Sequence, residues 1–214
     1  RMAVLRPVKL TLTNYPEGQS ETFTVENNPN RPEAGSREVA FSRTLYVEAE
    51  DFLETPVPKY KRLYPDGPEC RLKGAYVIKC TGCVKDENGS VVEVLCEYDP
   101  DSRGGDPADG RKVKGATIHW VDAATAVDAE VRRYDNLFTD PDPDGGDKNF
   151  LDCLNPNSLE VLPHAKVEAG LAGAQAPASF QFLRQGYFCV DNRDSSPEHL
   201  VFNRSVSLKD SFKF

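Results

Sequence analysis

The stretch 8–13, V-K-L-T-L-T, alternates apolar and polar positions with a period of two. That spacing sets one face of a β-strand against a core and the other in solvent. Similar short runs rich in β-branched and aromatic residues occur at 21–25, 37–41, 44–47, 158–162, 179–182, 186–191, 200–203 and 205–208, with Gly, Pro, Asn and Asp frequent between them. The runs 75–80 and 91–98 predict a hairpin turning on Asn88-Gly89, in which Glu87 pairs with Ser90, Cys83 with Val94 and Thr81 with Cys96. The run 113–121 reads as one strand with 128–137 as its partner, and 122–127 between them as a turn or short helix. Helical periodicity is scarce, with single turns suggested at 51–54 and 149–154. Many short strands at irregular spacing predict an all-β barrel or sandwich, and 214 residues fit two barrels better than one.

Composition narrows this picture. The apolar share of 39% is lean but sufficient for a packed core, and no run approaches the ~18 apolar residues of a membrane span. The formal net charge is -8, so nucleic acid could be held only through a local basic patch. Much of the acid falls in turn-like stretches, 99–101 and 140–144, which read as solvated loops. Six cysteines in a chain this long are not a disulfide framework. Cys80-x-x-Cys83 lacks a second such pair for a zinc site, and in a regular strand the two would point to opposite faces. Reduced thiols in a cytoplasmic protein are expected. The chain opens Arg1-Met2, which reads as a piece of a longer or a processed protein.

Enzyme constellations are missing from the sequence. His119, His164 and His199 show no metal-ligand spacing, the serines sit in no nucleophile elbow, and no glycine-rich loop precedes a helix. His119, beside the sole tryptophan Trp120, reads as structural. Basic residues do interleave with aromatic ones. The clusters are 59–64 (K-Y-K-R-L-Y), 71–73 with Lys79, 111–114 (R-K-V-K) and 180–187 (F-Q-F-L-R-Q-G-Y). Such clusters suit single-stranded RNA, whose splayed bases stack on rings while Arg, Lys and Gln reach base edges and phosphates. A solvated face, a non-enzymatic β-barrel interaction module or a zinc-dependent hydrolase remain open on these residues alone.

Several stretches resemble one family in order along the whole chain: MAVLRPVKL (2–10), NNPNRPEAGSREV (27–39), YKRLY (60–64), RLKGAYVIK (71–79), DPADGRKVKGATIHWV (106–121), EVRRYDNLF (130–138), FQFLRQGYFCVD (180–191) and VFNRSVSLKDSF (201–212). They resemble the carboxy-terminal anticodon-binding region of the glutaminyl-tRNA synthetases. The archaeal and eukaryotic type of glutamyl-tRNA synthetase shares the strand ending in I-H-W but not the closing segments.

The resemblance implies two β-barrels of the ribosomal protein L25 fold. The chain would pass from a proximal barrel (1–54 and 140–214) into a distal one (55–139) and back. It implies recognition of the tRNA-Gln anticodon stem-loop by a monomer, with bases held in separate pockets. Lys61 and Arg62 correspond to the pocket for the third anticodon base, a guanine. Arg71 and Lys73 correspond to the pocket for the first base, and Gln181 to a reader of the central uridine. Arg184 is a second basic position of that motif, Asn30 lies on the loop-facing surface, and Ser211 matches a hydroxyl near the carboxy terminus. Arg1 stands at, or one place from, an arginine the family uses. In the family, 110–121 marks the barrel, with Ile118 and Trp120 inside, while Arg111, Lys112 and Lys114 touch phosphate at most. The class I catalytic signatures His-Ile-Gly-His and Lys-Met-Ser-Lys-Ser are absent, so ATP, magnesium, glutamine and the tRNA acceptor end are expected to bind a preceding catalytic domain of the same polypeptide. The sequence departs from the family in three places. Lys59 replaces a common glutamine, Lys73 replaces a common arginine and so lacks the planar fork, and 115–119 is one residue longer, which a β-bulge would absorb.

Overall fold

The structure, a computed structural model, describes residues 1–208. It is all-β, with two curled half-barrel sheets and a two-stranded ribbon, and the helices among the described residues are 3-10 turns of three or four residues. The seven-stranded sheet runs in the order Val121–Asp122, Thr44–Glu48, Pro7–Leu12, Val91–Tyr98, Val77–Lys85, Cys70–Leu72, Thr117–Ile118. The six-stranded sheet runs Ala3–Val4, Leu159–Val167, Val127–Tyr134, Leu200–Val206, Gly186–Val190, Ser179–Phe182. Ser20–Glu26 pairs with Ser36–Ser42 as the ribbon. Among the described residues no helix is long and apolar enough to cross a membrane.

Each sheet owns a core. Val8, Leu10 and Leu12 point inward from Pro7–Leu12 while Lys9 is exposed, as the period-two pattern requires. The ribbon adds Phe23, Val39 and Phe41 to the same cluster. Fully buried Phe41 meets the rings of Tyr15, Phe23, Tyr76 and Trp120 at centroid distances of 5.1–5.5 Å, and edge contacts of this kind add to area burial. The Tyr15 and Tyr76 hydroxyls both donate to Glu21 Oε1, at 3.0 and 2.8 Å, so burying them leaves no unmet polar tip. The second core is built on Phe182 and Phe188, stacked at 4.5 Å, with Phe202 edge-on to Phe182.

Buried carboxylates tie distant segments together. Glu48 accepts from the N–H of Leu5 (2.7 Å) and of Arg6 (3.0 Å) and from Gln185 Nε2 (2.7 Å), with His119 Nε2 at 3.3 Å. Glu168 accepts from the Met2 N–H (2.9 Å) and from the Arg37 fork at 2.6 and 2.9 Å. A buried charge survives only when paired and hydrogen-bonded in this way.

Three local expectations are corrected. Residues 113–121 are not one strand: 110–116 is irregular, and two short strands, Thr117–Ile118 and Val121–Asp122, join opposite edges of the seven-stranded sheet. Val127–Tyr134 is not their partner. It lies between Leu159–Val167 and Leu200–Val206 in the other sheet, because its apolar face (Ala129, Val131) belongs to the second core. In the hairpin Cys83 does face Val94, but a bulge before Gly82 moves Cys96 from Thr81 to Cys80. Cys80 and Cys83 thus share a face, against the regular-strand expectation, and all six cysteines are free thiols. Pro7–Leu12 and Thr44–Glu48 share a sheet with the strands of 70–122, and Val127–Tyr134 shares one with the strands of 159–206.

Candidate nucleic-acid interface

The irregular signature stretch acts as a backboard. Ala116 N–H donates to Lys61 O (2.7 Å), Arg71 N–H to Ala116 O (3.0 Å) and Lys73 N–H to Ile118 O (2.8 Å). Trp120 Nε1 donates to Lys73 O at 3.1 Å. Ile118 and Trp120 are fully buried, so the main chain of Lys61, Arg71 and Lys73 is held to the core while the Lys61 and Lys73 side chains stay exposed. Gly115 is needed there, because a Cβ would stand 2.3 Å from Glu69 O. Arg111 does not project as a free cation. It bonds Glu69, Asp99 and Asp109, with Nη2 2.6 Å from Asp99 Oδ2, and Glu69 followed by Asp99 raises its pKa further above the arginine range.

Four of the sequence-predicted residues meet in one groove of about 800 Å³: Arg1, Asn30, Lys73 and Gln181. The 27–31 turn forms one wall, where Asn30 N–H bonds Asn28 Oδ1 at 2.9 Å. The other wall is the edge strand Ser179–Phe182, with Gln181 directly opposite Tyr187 of the next strand. The exposed Tyr187 ring and the half-buried Phe180 ring also line the groove. Arg1 Nη1 donates to Asn27 Oδ1 at 2.5 Å, its guanidinium carbon sits 5.9 Å from the Phe180 ring centre, and its buried Nε has no hydrogen-bond partner among the described residues, lying 3.5 Å from Glu168 Oε1. Burial, followed by neighbouring Arg37, lowers the Arg1 pKa. Lys73 has no carboxylate partner among the described residues.

Arg62 and Arg184 form a second cluster around Asp51, whose side chain is 0% exposed. Arg184 Nη1 and Nη2 reach Asp51 Oδ2 and Oδ1 at 2.7 and 2.6 Å, and Nη1 lies 3.3 Å from His119 Nδ1. Asp51 raises the pKa of Arg184. Arg184 adopts φ 66°, a left-handed conformation that aims its side chain back from the turn toward Asp51. Arg62 Nη1 is 3.0 Å from Asp51 Oδ1 and donates to Glu50 O at 3.4 Å, with the side chain 38% exposed. Beside it the Tyr60 hydroxyl donates to Glu50 O at 3.0 Å, and burial pushes its pKa up to about 12.

Arg71 stands apart, with Nε on Gly105 O at 2.8 Å and Nη2 3.3 Å from Asp106. Lys61 is exposed on its own loop, and Ser211 lies outside the described residues. Sequence reasoning missed Asp51, Glu48 and Glu168, treating carboxylates as loop residues. The available signal was an acid between apolar positions, Val47 and Phe52, in a short turn.

Open cations, amide side chains and aromatic rings gathered on a β scaffold can stack unpaired bases and donate to their edges and phosphates. Residues 1–99 and 117–191 match the family described as tRNA synthetases class I (E and Q), anti-codon binding domain, and the chain belongs to that family. It is 52% identical over 213 residues to a glutamine–tRNA ligase of Clostridium kluyveri, 54% over 211 residues to one of Vibrio cholerae and 55% over 212 residues to one of Bordetella avium. Each match covers 99% of this chain but only 36–38% of the relative's length.

Proposed function

We propose that this chain is the anticodon-reading part of a glutamine–tRNA ligase and binds the anticodon stem-loop of tRNA-Gln. ATP- and magnesium-dependent attachment of glutamine would occur on residues outside this chain, in a cytoplasmic, monomeric enzyme. The observation that carries the reading is the groove uniting Lys73, Gln181, Asn30 and Arg1 beside two aromatic rings. Gln181 reads the central uridine there, and Lys73, with Arg71 nearby, takes the first base. Arg62 grips guanine O6 and N7 at the third position, with Lys61 beside it. Arg184 holds Asp51 and supports Arg62 from within. Lys112 and Lys114 touch phosphate at most.

The test is titration of the chain with anticodon stem-loops for glutamine and glutamate tRNAs at several salt concentrations. Tighter binding of the glutamine loop is expected, with a log-log salt slope of about 0.7 per single-stranded phosphate contacted. Arg62→Ala should weaken binding by roughly 1–3 kcal/mol and relax preference at the third base. Salt-independent binding that ignores the anticodon would refute the proposal and favour a general interaction module.

A further inference from the structure

Two buried thiols, Cys80 and Cys96, stand directly opposite each other across the hairpin of Val77–Lys85 and Val91–Tyr98, and the groove uses neither. They are 1% and 0% exposed and point into the first core, while Lys79, Thr81 and Glu97 beside them point outward. The bulge before Gly82 creates the pair, since a regular ladder would set Cys96 against Thr81.

Backbone bonding fixes how close the two come. Asp99 N–H donates to Val77 O, so the hydrogen-bonded pairs are 77/99 and 79/97, and 80/96 is a non-hydrogen-bonded pair. The carbonyls agree. Cys80 O accepts from Asp66 N–H at 3.3 Å and Cys96 O from Thr13 N–H at 2.8 Å, each away from the facing strand. In such a pair the α-carbons lie about 4.5 Å apart, inside the range a disulfide spans. The β-carbons of opposed residues lie about 4.5–5.5 Å apart, wider than the ~3.8 Å of a relaxed disulfide, so closing the bond strains the hairpin. A strained disulfide is readily reduced, which fits free thiols at rest and a bond made only under oxidant.

The two sulfurs are not equivalent. A hydrogen bond from Cys96 lowers the pKa of the Cys80 thiol, whereas burial, followed by the Cys80 contact, raises that of Cys96. Cys80 is therefore the readier thiolate and the nucleophile. It also lies at the bulge, two residues from Gly82, where the space a β-carbon would fill has no neighbour within 4 Å. Buried thiols are ordinarily inert, but the gap at Gly82 admits a peroxide little larger than water. Cys70 faces Ile78 and Cys83 faces Val94, so neither stands opposite a second sulfur.

We propose that Cys80 and Cys96 are an oxidation site, a thiol pair that a hydroperoxide closes into a reversible disulfide across the hairpin. The Cys80 thiolate attacks one peroxide oxygen and the O–O bond breaks. This leaves a sulfenic acid on Cys80 and a hydroxide or alkoxide, which takes up the proton the Cys80 thiol gave up. The Cys96 sulfur then attacks the Cys80 sulfur, the S–O bond breaks, and the oxygen leaves as water with the Cys96 proton. The sulfurs lose two electrons and the peroxide gains them. Glutathione or a dithiol reopens the bond by exchange. None of this depends on which RNA the chain reads.

The experiment treats the reduced full-length protein with hydrogen peroxide, alkylates the remaining thiols and maps tryptic peptides from the monomer band of a non-reducing gel. Cleavage after Lys79, Lys85 and Arg103 puts Cys80 on peptide 80–85 and Cys96 on peptide 86–103. A Cys83→Ser variant removes the other thiol of 80–85, so a link in it assigns Cys80; Cys83 is only half-buried, so the variant should fold. Expected is an 80–85/86–103 link in wild type and Cys83→Ser, removed by reduced glutathione, and at least about tenfold more abundant than in urea-unfolded protein, where the sulfurs lose their high effective concentration. In Cys96→Ala the reaction should stop at a sulfenic acid on Cys80, which dimedone labels; if that variant does not fold, the wild-type and Cys83→Ser maps decide alone. A link that vanishes in Cys83→Ser, a link from Cys70, an equal yield after unfolding, or Cys80 left as a free thiol would each overturn the proposal. Dimedone label on folded Cys96→Ala at other cysteines but not at Cys80 would overturn it as well.

Discussion

Asp51→Asn is the most informative perturbation of the scaffold. The Asp51 side chain is 0% exposed and takes Arg184 at 2.6 and 2.7 Å and Arg62 at 3.0 Å. Asparagine keeps the shape but removes the charge, and turns one acceptor into an N–H facing a guanidinium. Breaking a buried ion pair by removing one partner costs about 3–5 kcal/mol. Here Arg184 is 31% and Arg62 38% exposed, so both guanidiniums can recover some water and the cost falls to about 2–3 kcal/mol. With a urea slope on the order of 2 kcal/mol per molar, the midpoint should drop by about 1–1.5 M. Trp120, the only tryptophan and fully buried, reports the transition by fluorescence. High salt should not restore the midpoint, because screening acts weakly on buried pairs. A midpoint within about 0.2 M of wild type, some 0.4 kcal/mol at that slope, would refute the assignment of Asp51 as the charge that holds both arginines.

Other outcomes follow from single contacts. Gly115→Ala places a Cβ 2.3 Å from Glu69 O and 2.6 Å from Cys70 Sγ, and should destabilise by about 1–3 kcal/mol in a thermal melt; an unchanged melting temperature would contradict the close approach. Burial alone would raise the Glu48 pKa, but hydrogen bonds from His119, Leu5 N–H and Arg6 N–H hold it below its ordinary value. Asp191 is lowered to about 2, first by the Asp194 N–H, then by the Asn203 side chain. Both groups have folded pKa values below the unfolded ones, so their stabilisation is complete above about pH 5 and is lost as pH falls through the folded values, which for Asp191 lies at about 2. Urea midpoints at pH 7, 5 and 3 test this: the drop should fall between pH 5 and 3 and shrink in Glu48→Gln, whereas a flat profile would exclude it.

The strands were legible because alternation at 8–13, 21–25 and 37–41 records a half-buried face, and Asn88-Gly89 sets a local hairpin. The bulge at Thr81 was not, since it shifts pairing without changing composition. Nor was the partner of Val127–Tyr134: apolar alternation says which face is buried but not against which sheet. The resemblance brought Lys73 and Gln181 forward, and the fold sets both in one groove. The buried carboxylates left no spacing signal, because Asp51 and Arg184 are 133 positions apart and Glu168 and Arg37 are 131 apart. Arg111 shows the converse. In sequence it heads the densest cationic run, yet three acids from separate loops close around it.

The central claim is that Gln181 reads the middle anticodon base from the groove it shares with Lys73. Its most direct test is a cycle of four affinities: wild type and Gln181→Ala, each against the tRNA-Gln stem-loop and one with the central uridine replaced by cytidine. The account predicts that wild type prefers uridine by about 1–3 kcal/mol and that Gln181→Ala loses that preference while still binding both loops. Equal discrimination by the two proteins would contradict it.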